Sequence, residues 1–183
     1  MKQSQPIVAL DSNILVLGIR KKGDPKKVRY ARYLFQSLEE EEAQIIVPSV
    51  VVAEFLIPFK QSKDREAVIA EMRKRFIIAP FDARAAVISV ELWHDGKKTR
   101  EKKQPGARAY LRADSMIVAT AYSQGAQIFY TDDIDCANMA RKRIPEVRGL
   151  PKIGQHLWAD REHTDAENIT GQLKTDEQQQ QKK

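Results

Sequence analysis

The sequence predicts an α/β fold in which helices cover both faces of a central, mostly parallel sheet of short strands. Two observations carry this prediction. Apolar segments typical of strands alternate along the chain with longer amphipathic segments typical of helices. The strand-like segments are also short and apolar on both faces, as they are in parallel sheets that helices bury on each side. The pattern is therefore typical of a three-layer α/β/α sandwich.

The predicted strands are brief runs of large apolar residues bounded by polar or turn-forming residues. The first is Pro-Ile-Val-Ala-Leu at 6–10, after which Asp11-Ser12-Asn13 supplies side chains that begin helices. Further strands are expected over 44–47, 76–78 and 127–130, with an edge strand near 147–149.

The predicted helices follow from apolar residues at helical spacing and from stop signals. Val28, Ala31, Leu34 and Leu38 form such a stripe, and Gly125 ends the longest helix. The expected helices are 14–19, 26–42, 49 to near 58, 63–75, 82–94, 107–124 and about 132–143, whereas 95–106 is expected to be a polar, basic loop.

Composition limits the classes of protein that fit. The 183 residues carry 31 basic and 25 acidic side chains, and 42% are apolar, which excludes a wholly disordered chain. No apolar run approaches the ~20 residues of a membrane span, and the first segment is too short for a secretory signal. A single cysteine, Cys136, suits a reducing compartment, so we expect a cytoplasmic protein without membrane association.

Charge and composition also divide the chain. Residues 159–183 carry four basic and six acidic side chains, a net charge of −2. Because the whole chain carries +6, residues 1–158 carry +8. A basic body favours an anionic partner such as nucleic acid. We expect a domain over 1–150 and an extension over 151–183 that is disordered from about 159, where large apolar residues nearly vanish.

Four acidic positions have unusual neighbours. Asp11 and the Asp132-Asp133-Ile134-Asp135 segment follow predicted strands, and Glu54 and Asp114 lie among small and apolar residues. The alternative interpretations are helix caps for the first two and solvent-facing or arginine-paired side chains for the others. Carboxyl ends of parallel strands form the ligand crevice of open α/β sheets, so we expect these carboxylates to converge there.

Converging carboxylates need a counter-charge. Two of them ~5 Å apart repel by roughly 3 kcal/mol at an effective dielectric of ~20. Ligation by oxygen alone selects a hard cation, Mg²⁺ or Mn²⁺. The histidines, His94, His156 and His163, lack the spacing of a zinc site.

Four ordered motifs resemble the PIN domain, a nuclease fold whose members include VapC-type toxins. They are Ile7–Leu15, Val47–Glu54, Ala113–Ala121 and Ile128–Asp135, and the resemblance covers about residues 5–150. Two features depart from the toxin pattern: the basic segment 95–106 is additional, and Cys136 follows Asp135 where an aromatic residue is common.

The resemblance implies four acidic metal ligands: Asp11, Glu54, Asp114 and Asp133, with Asp132 as the alternative to Asp133. It also implies support from Thr131 and auxiliary roles for Asn13 and Asp135. The implied activity is metal-dependent hydrolysis of RNA. The implied partners are RNA, an antitoxin protein in the case of a toxin, and a second copy of the chain.

Basic side chains near these motifs are the expected contacts to the RNA backbone. They are Arg20, Lys21 and Lys22 after the first motif, Arg108 and Arg112 before Asp114, and Lys97, Lys98, Arg100, Lys102 and Lys103 in the basic segment. Tyr110 is expected either to stack on a base or to lie in the core. The alternative function is a PIN-fold interaction module with weak or no catalytic activity.

Overall fold

In the computed structural model, residues 5–100 and 107–153 are described, with side chains over 5–96 and 109–153. The strands are β1 (Ile7–Leu10), β2 (Gln44–Pro48), β3 (Ile77–Ala79), β4 (Ile128–Tyr130) and β5 (Glu146–Arg148). The helices are α1 (Ser12–Gly18), α2 (Pro25–Glu40), α3 (Ser49–Leu56), α4 (Ser62–Arg75), α5 (Ala83–Arg100), α6 (Ala107–Ser123) and α7 (Ile134–Ala140).

The five strands form one sheet in the order β3-β2-β1-β4-β5, and every neighbouring pair is parallel. The chain builds outward from β1 in one direction, then returns to place β4 on the other side of β1. The topological switch point therefore lies between β1 and β4, where ligands bind in open α/β sheets. This architecture confirms the predicted α/β class with its short-stranded parallel sheet.

The core lies on both faces of the central strands. Val8, Ala9 and Leu10 of β1 are fully buried, as are all three residues of β4. Full burial explains why these segments are apolar without alternation, because helices cover each face of the sheet.

The prediction of a loop over 95–106 is wrong for residues 95–100, because α5 continues to Arg100. Gly96 is buried, and a Cβ placed on it would lie 2.6 Å from Leu111 of α6. Thus α5 continues into a segment that has no apolar stripe, and it packs closely on α6 there. Residues 101–106 lie outside the described part of the chain, as does the segment expected to be disordered from about 159.

The chain divides into a compact unit, Met1–Pro151, and a second unit, Lys152–Lys183. Across residues 5–100 and 107–153, no helix combines the length and the hydropathy that crossing a membrane requires.

Gly18, the last residue of α1, shows how closely α1 packs on α2. A Cβ on Gly18 would overlap the buried ring of Phe35. We expect Gly18→Ala to lower the free energy of unfolding by about 1–3 kcal/mol, because the buried Phe35 ring must shift to admit the Cβ. Chemical denaturation measures this. Gly149→Ala is the matched control, since its Cβ would meet only the Thr131 carbonyl oxygen at 4.0 Å. Equal effects of the two substitutions would contradict the packing argument.

Candidate active site

Asp11 is a buried carboxylate at the carboxyl end of the central strand β1. Asp11 is only 5% exposed. Its Oδ1 atom caps α1 by accepting a hydrogen bond of 2.7 Å from the Ser12 backbone N–H. Its Oδ2 accepts hydrogen bonds from the Thr131 hydroxyl (2.6 Å) and from Asn13 Nδ2 (2.8 Å). Three donors thus offset part of the cost of burying the charge.

Thr131 and Asn13 join the two loops across the switch point. The Thr131 hydroxyl donates to Asp11 and accepts from the Asp133 backbone N–H (3.0 Å) and from Asn13 Nδ2 (3.1 Å). Asn13 Oδ1 accepts from the Asp132 backbone N–H at 3.0 Å. The one donor and two acceptor positions of the buried hydroxyl are all used, so this threonine fixes the loop after β4 against the loop after β1.

The three aspartates after β4 occupy different environments. Asp133 caps α7, since its Oδ1 accepts from the Cys136 backbone N–H at 2.9 Å. Asp132 forms an ion pair with Lys27 of α2, with 2.6 Å between Oδ2 and Nζ. Asp135 lies in the first turn of α7, where a negative charge complements the helix dipole.

Glu54 and Asp114 come from two helices that pack against each other and against β2. Glu54 lies on α3 and Asp114 on α6, both half-buried, and α6 packs against both α3 and α7. The charge of Glu54 acts on Asp11, and the charges of Asp11, Asp114 and Asp133 all act on Cys136. The four carboxylates that the resemblance implies therefore share one electrostatic neighbourhood.

Burial raises the pKa of the Asp11 carboxyl above its ordinary value of 3.8, and the charges of Glu54 and Asp133 add to this. The hydrogen bonds from Thr131 and Ser12 act in the opposite direction but do not cancel the effect. Burial also raises the pKa of the Cys136 thiol well above 9.0, together with the charges of the neighbouring carboxylates. The thiol is therefore protonated near neutral pH and is unsuited to act as a nucleophile.

The site offers oxygen donors, which fit a hard divalent cation better than zinc or copper. Within residues 5–100 and 107–153, no three carboxylate, histidine or cysteine side chains form a group that could hold a metal ion as they stand. The carboxylates thus share a region and a field without forming a closed set of ligands.

The predicted RNA contacts are distributed around this region. Arg20 is half-buried, with its Cζ atom 5.9 Å from the ring centroid of Phe55, the residue after Glu54. Arg112 is exposed on α6. Tyr110 is 72% exposed, so the expectation that it lies in the core is wrong. Lys21 and Lys22 follow α1 and are exposed. The other predicted contacts have side chains outside the described part: Lys97, Lys98, Arg100, Lys102, Lys103 and Arg108.

Sequence reasoning missed Lys27. Its partner Asp132 is 105 residues away along the chain, and no local pattern distinguishes Lys27 from the other lysines of its segment. Only the placement of α2 beside the loop after β4 brings the two together.

Asp11 and Asp24 both cap helices, but we expect opposite pKa shifts in metal-free protein. Burial places the pKa of Asp11 above 3.8, whereas exposed Asp24 titrates below 3.8 because the Lys27 and Lys26 backbone N–H groups stabilise its carboxylate. The folded state holds the Asp11 proton more tightly than the unfolded state does. The stability from this group is therefore present below pH 3.8 and lost as the pH rises through the folded pKa.

Carboxyl-carbon NMR titration in the presence of a chelator measures both pKa values in one sample. Asp24 is the internal control, and an Asp11 pKa at or below that of Asp24 would contradict the role assigned to burial.

The family model of the PIN domain matches residues 8–142. Among curated proteins, no sequence match was found.

Solved structures share the fold at low sequence identity. VapBC2 from Rickettsia felis, bound to a DNA fragment from its promoter, is 21% identical with a TM-score of 0.50, covering 79% of this chain and 99% of that one. DNA-bound VapBC from Salmonella typhimurium is 17% identical with a TM-score of 0.52, covering 80% and 100%. VapBC-1 from nontypeable Haemophilus influenzae is 14% identical with a TM-score of 0.54, covering 79% and 98%. With the family model spanning most of the sheet and its helices, the chain belongs to the PIN domain family.

Proposed function

We propose that this protein is a metal-dependent endoribonuclease that hydrolyses phosphodiester bonds of RNA. The observation that carries the proposal is the Asp11 carboxylate, buried at the switch point of a PIN-domain sheet within the field of Glu54 and Asp133. Keeping a charge there is costly, which favours a site that a cation completes.

We assign Asp11, Glu54, Asp114 and Asp133 as the residues that would hold Mg²⁺ or Mn²⁺. Asp133 is preferred to Asp132 because its charge acts on Asp11, whereas the Asp132 carboxylate is paired with Lys27. When bound, such an ion supplies Lewis-acid activation of water and offsets the charge that develops on the phosphoryl oxygens.

The chain's own residues have supporting tasks in this mechanism. Thr131 and Asn13 orient the Asp11 carboxylate through its Oδ2 atom, and Asp133 is held at the start of α7. Arg20 and Arg112 are proposed to hold the RNA backbone, as are Lys98, Arg100 and Arg108. Phosphate contacts of this kind position a strand without reading its sequence.

We propose further that the nuclease acts as a VapC-like toxin in the cytoplasm and is restrained by an antitoxin protein. The support is the shared fold with chains of VapBC complexes.

A homodimer is also proposed from the family resemblance, and light scattering of the purified protein tests it.

The alternative is an interaction module without hydrolytic activity. The observation on its side is that, in the described part of the chain, no three potential ligands form a group that could hold a metal ion.

The deciding experiment is cleavage of a labelled, mixed-sequence single-stranded RNA with Mg²⁺ or Mn²⁺ against a chelator. We expect metal-dependent cleavage that falls by about 100-fold or more in Asp114→Asn, because a lost ligand removes several kcal/mol of transition-state stabilisation. Asp64→Asn is the matched control, since it removes an exposed carboxylate from the first turn of α4.

Cleavage that persists in chelator or in Asp114→Asn would overturn the assigned site. A DNA strand of the same sequence tests the choice of substrate. A folded protein that cuts neither strand would support the interaction module.

A second expectation concerns the biological role. Induced expression of the wild-type protein in a bacterial host should arrest growth, and Asp114→Asn at equal soluble levels should not, because only the active nuclease depletes RNA. Growth rate after induction measures this, and equal growth of both cultures would contradict the toxin role.

A further inference from the structure

Lys27 places a cation beside the candidate active site. It lies in the first turn of α2, and its Nζ atom is 2.6 Å from Oδ2 of Asp132. The two side chains are 51% and 28% exposed, so the pair is open to solvent. An exposed ion pair of this kind contributes little to stability.

The pair is connected to the buried carboxylate through two hydrogen bonds. The Asp132 backbone N–H donates to Asn13 Oδ1 at 3.0 Å, and Asn13 Nδ2 donates to Asp11 Oδ2 at 2.8 Å. Lys27 is thereby attached to the same loop that carries Thr131 and Asp133. Its ammonium group therefore lies beside the loop after β4, next to the residue that precedes Asp133.

The ammonium group retains capacity for a second partner. It has three N–H donors, and a single carboxylate oxygen of Asp132 leaves others for a ligand oxygen. The surrounding segment, residues 20–29, carries six basic side chains against the one acidic side chain of Asp24. A polyanion that approaches the carboxylates is repelled by them, so its binding is favoured by a cation held beside them.

We propose that Lys27 contacts a backbone phosphate of the RNA beside the loop after β4 and that Asp132 is a positioning residue that holds its ammonium group there. This inference rests on the proposed ribonuclease function. A lysine held by a carboxylate loses less rotamer freedom when it binds phosphate than a freely moving lysine does.

The test is binding of a labelled single-stranded RNA, measured by fluorescence anisotropy over a range of salt in the full-length Asp114→Asn protein. In that background, Lys27→Gln should raise Kd about fivefold and reduce the slope of log Kd against log salt by about 0.7, as expected for one lost phosphate contact. Lys26→Gln is the matched control, because it removes the same charge one residue away and its Nζ atom lies over the Tyr30 ring.

The direction in which Asp132→Asn changes RNA affinity is a second test. It removes a negative charge beside the RNA path, so an unpositioned lysine would bind RNA more tightly after the substitution. A positioning role predicts weaker binding instead, and it predicts that Asp132→Asn has no such effect in a protein that also carries Lys27→Gln. Lys27→Arg should retain the salt slope, and thermal unfolding of each variant verifies that the fold is kept.

The outcomes separate this inference from the proposed function. Equal effects of Lys27→Gln and Lys26→Gln, or tighter binding by Asp132→Asn, would overturn the positioned contact while RNA binding persists.

In the cleavage assay with the otherwise wild-type protein, Lys27→Gln should raise KM more than it lowers kcat. A fall in kcat alone, with an unchanged salt slope, would assign the pair to holding Asp133 and overturn the phosphate contact. Failure of the wild-type protein to cut RNA in the presence of Mg²⁺ or Mn²⁺ would overturn the proposed function itself.

Discussion

Burial of the Asp11 carboxylate is the constraint on which the site depends. Asp11 follows the last residue of the central strand, its side chain caps α1, and the residue is buried. Its three hydrogen-bond donors come from Ser12, Asn13 and Thr131. The pKa of the carboxyl is still raised, so these donors offset the cost of burial only in part. The remaining cost is what a bound cation would remove in the proposed nuclease.

The strand order makes this arrangement possible. Because β4 lies beside β1, the residue after each strand emerges at the same edge of the sheet, and the Asp11 backbone N–H bonds to the Tyr130 carbonyl at 3.0 Å. Thr131 then reaches a carboxylate that is 120 residues away along the chain. The helices that carry Glu54 and Asp114 join this arrangement by packing, since α3 packs on α1 and α6, and α6 packs on α7.

The surroundings of the carboxylates are consistent with an anionic substrate. Cys136 stands where the resemblance leads one to expect an aromatic residue, yet its backbone N–H holds Asp133 and its buried thiol stays protonated. Thus the departure from the toxin pattern leaves the cap intact. Basic side chains lie nearby on exposed positions, including Arg112 and the paired Lys27. In the proposed nuclease, a bound cation would offset the charge of the buried carboxylate, and the exposed basic side chains would contact phosphate.

The sequence by itself determined the fold class, because short segments such as Val8–Leu10 are apolar on both faces and only a sheet covered on each side buries them. It also singled out Asp11 and the segment 132–135, since both follow predicted strands, whereas the choice of Asp133 came from the family resemblance. The extension of α5 beyond residue 94 was decided by tertiary structure, because Gly96 packs on Leu111 and no local periodicity records that contact. The Lys27–Asp132 pair was likewise decided by the fold, because it joins residues that only the packing of α2 beside the loop after β4 brings within 2.6 Å.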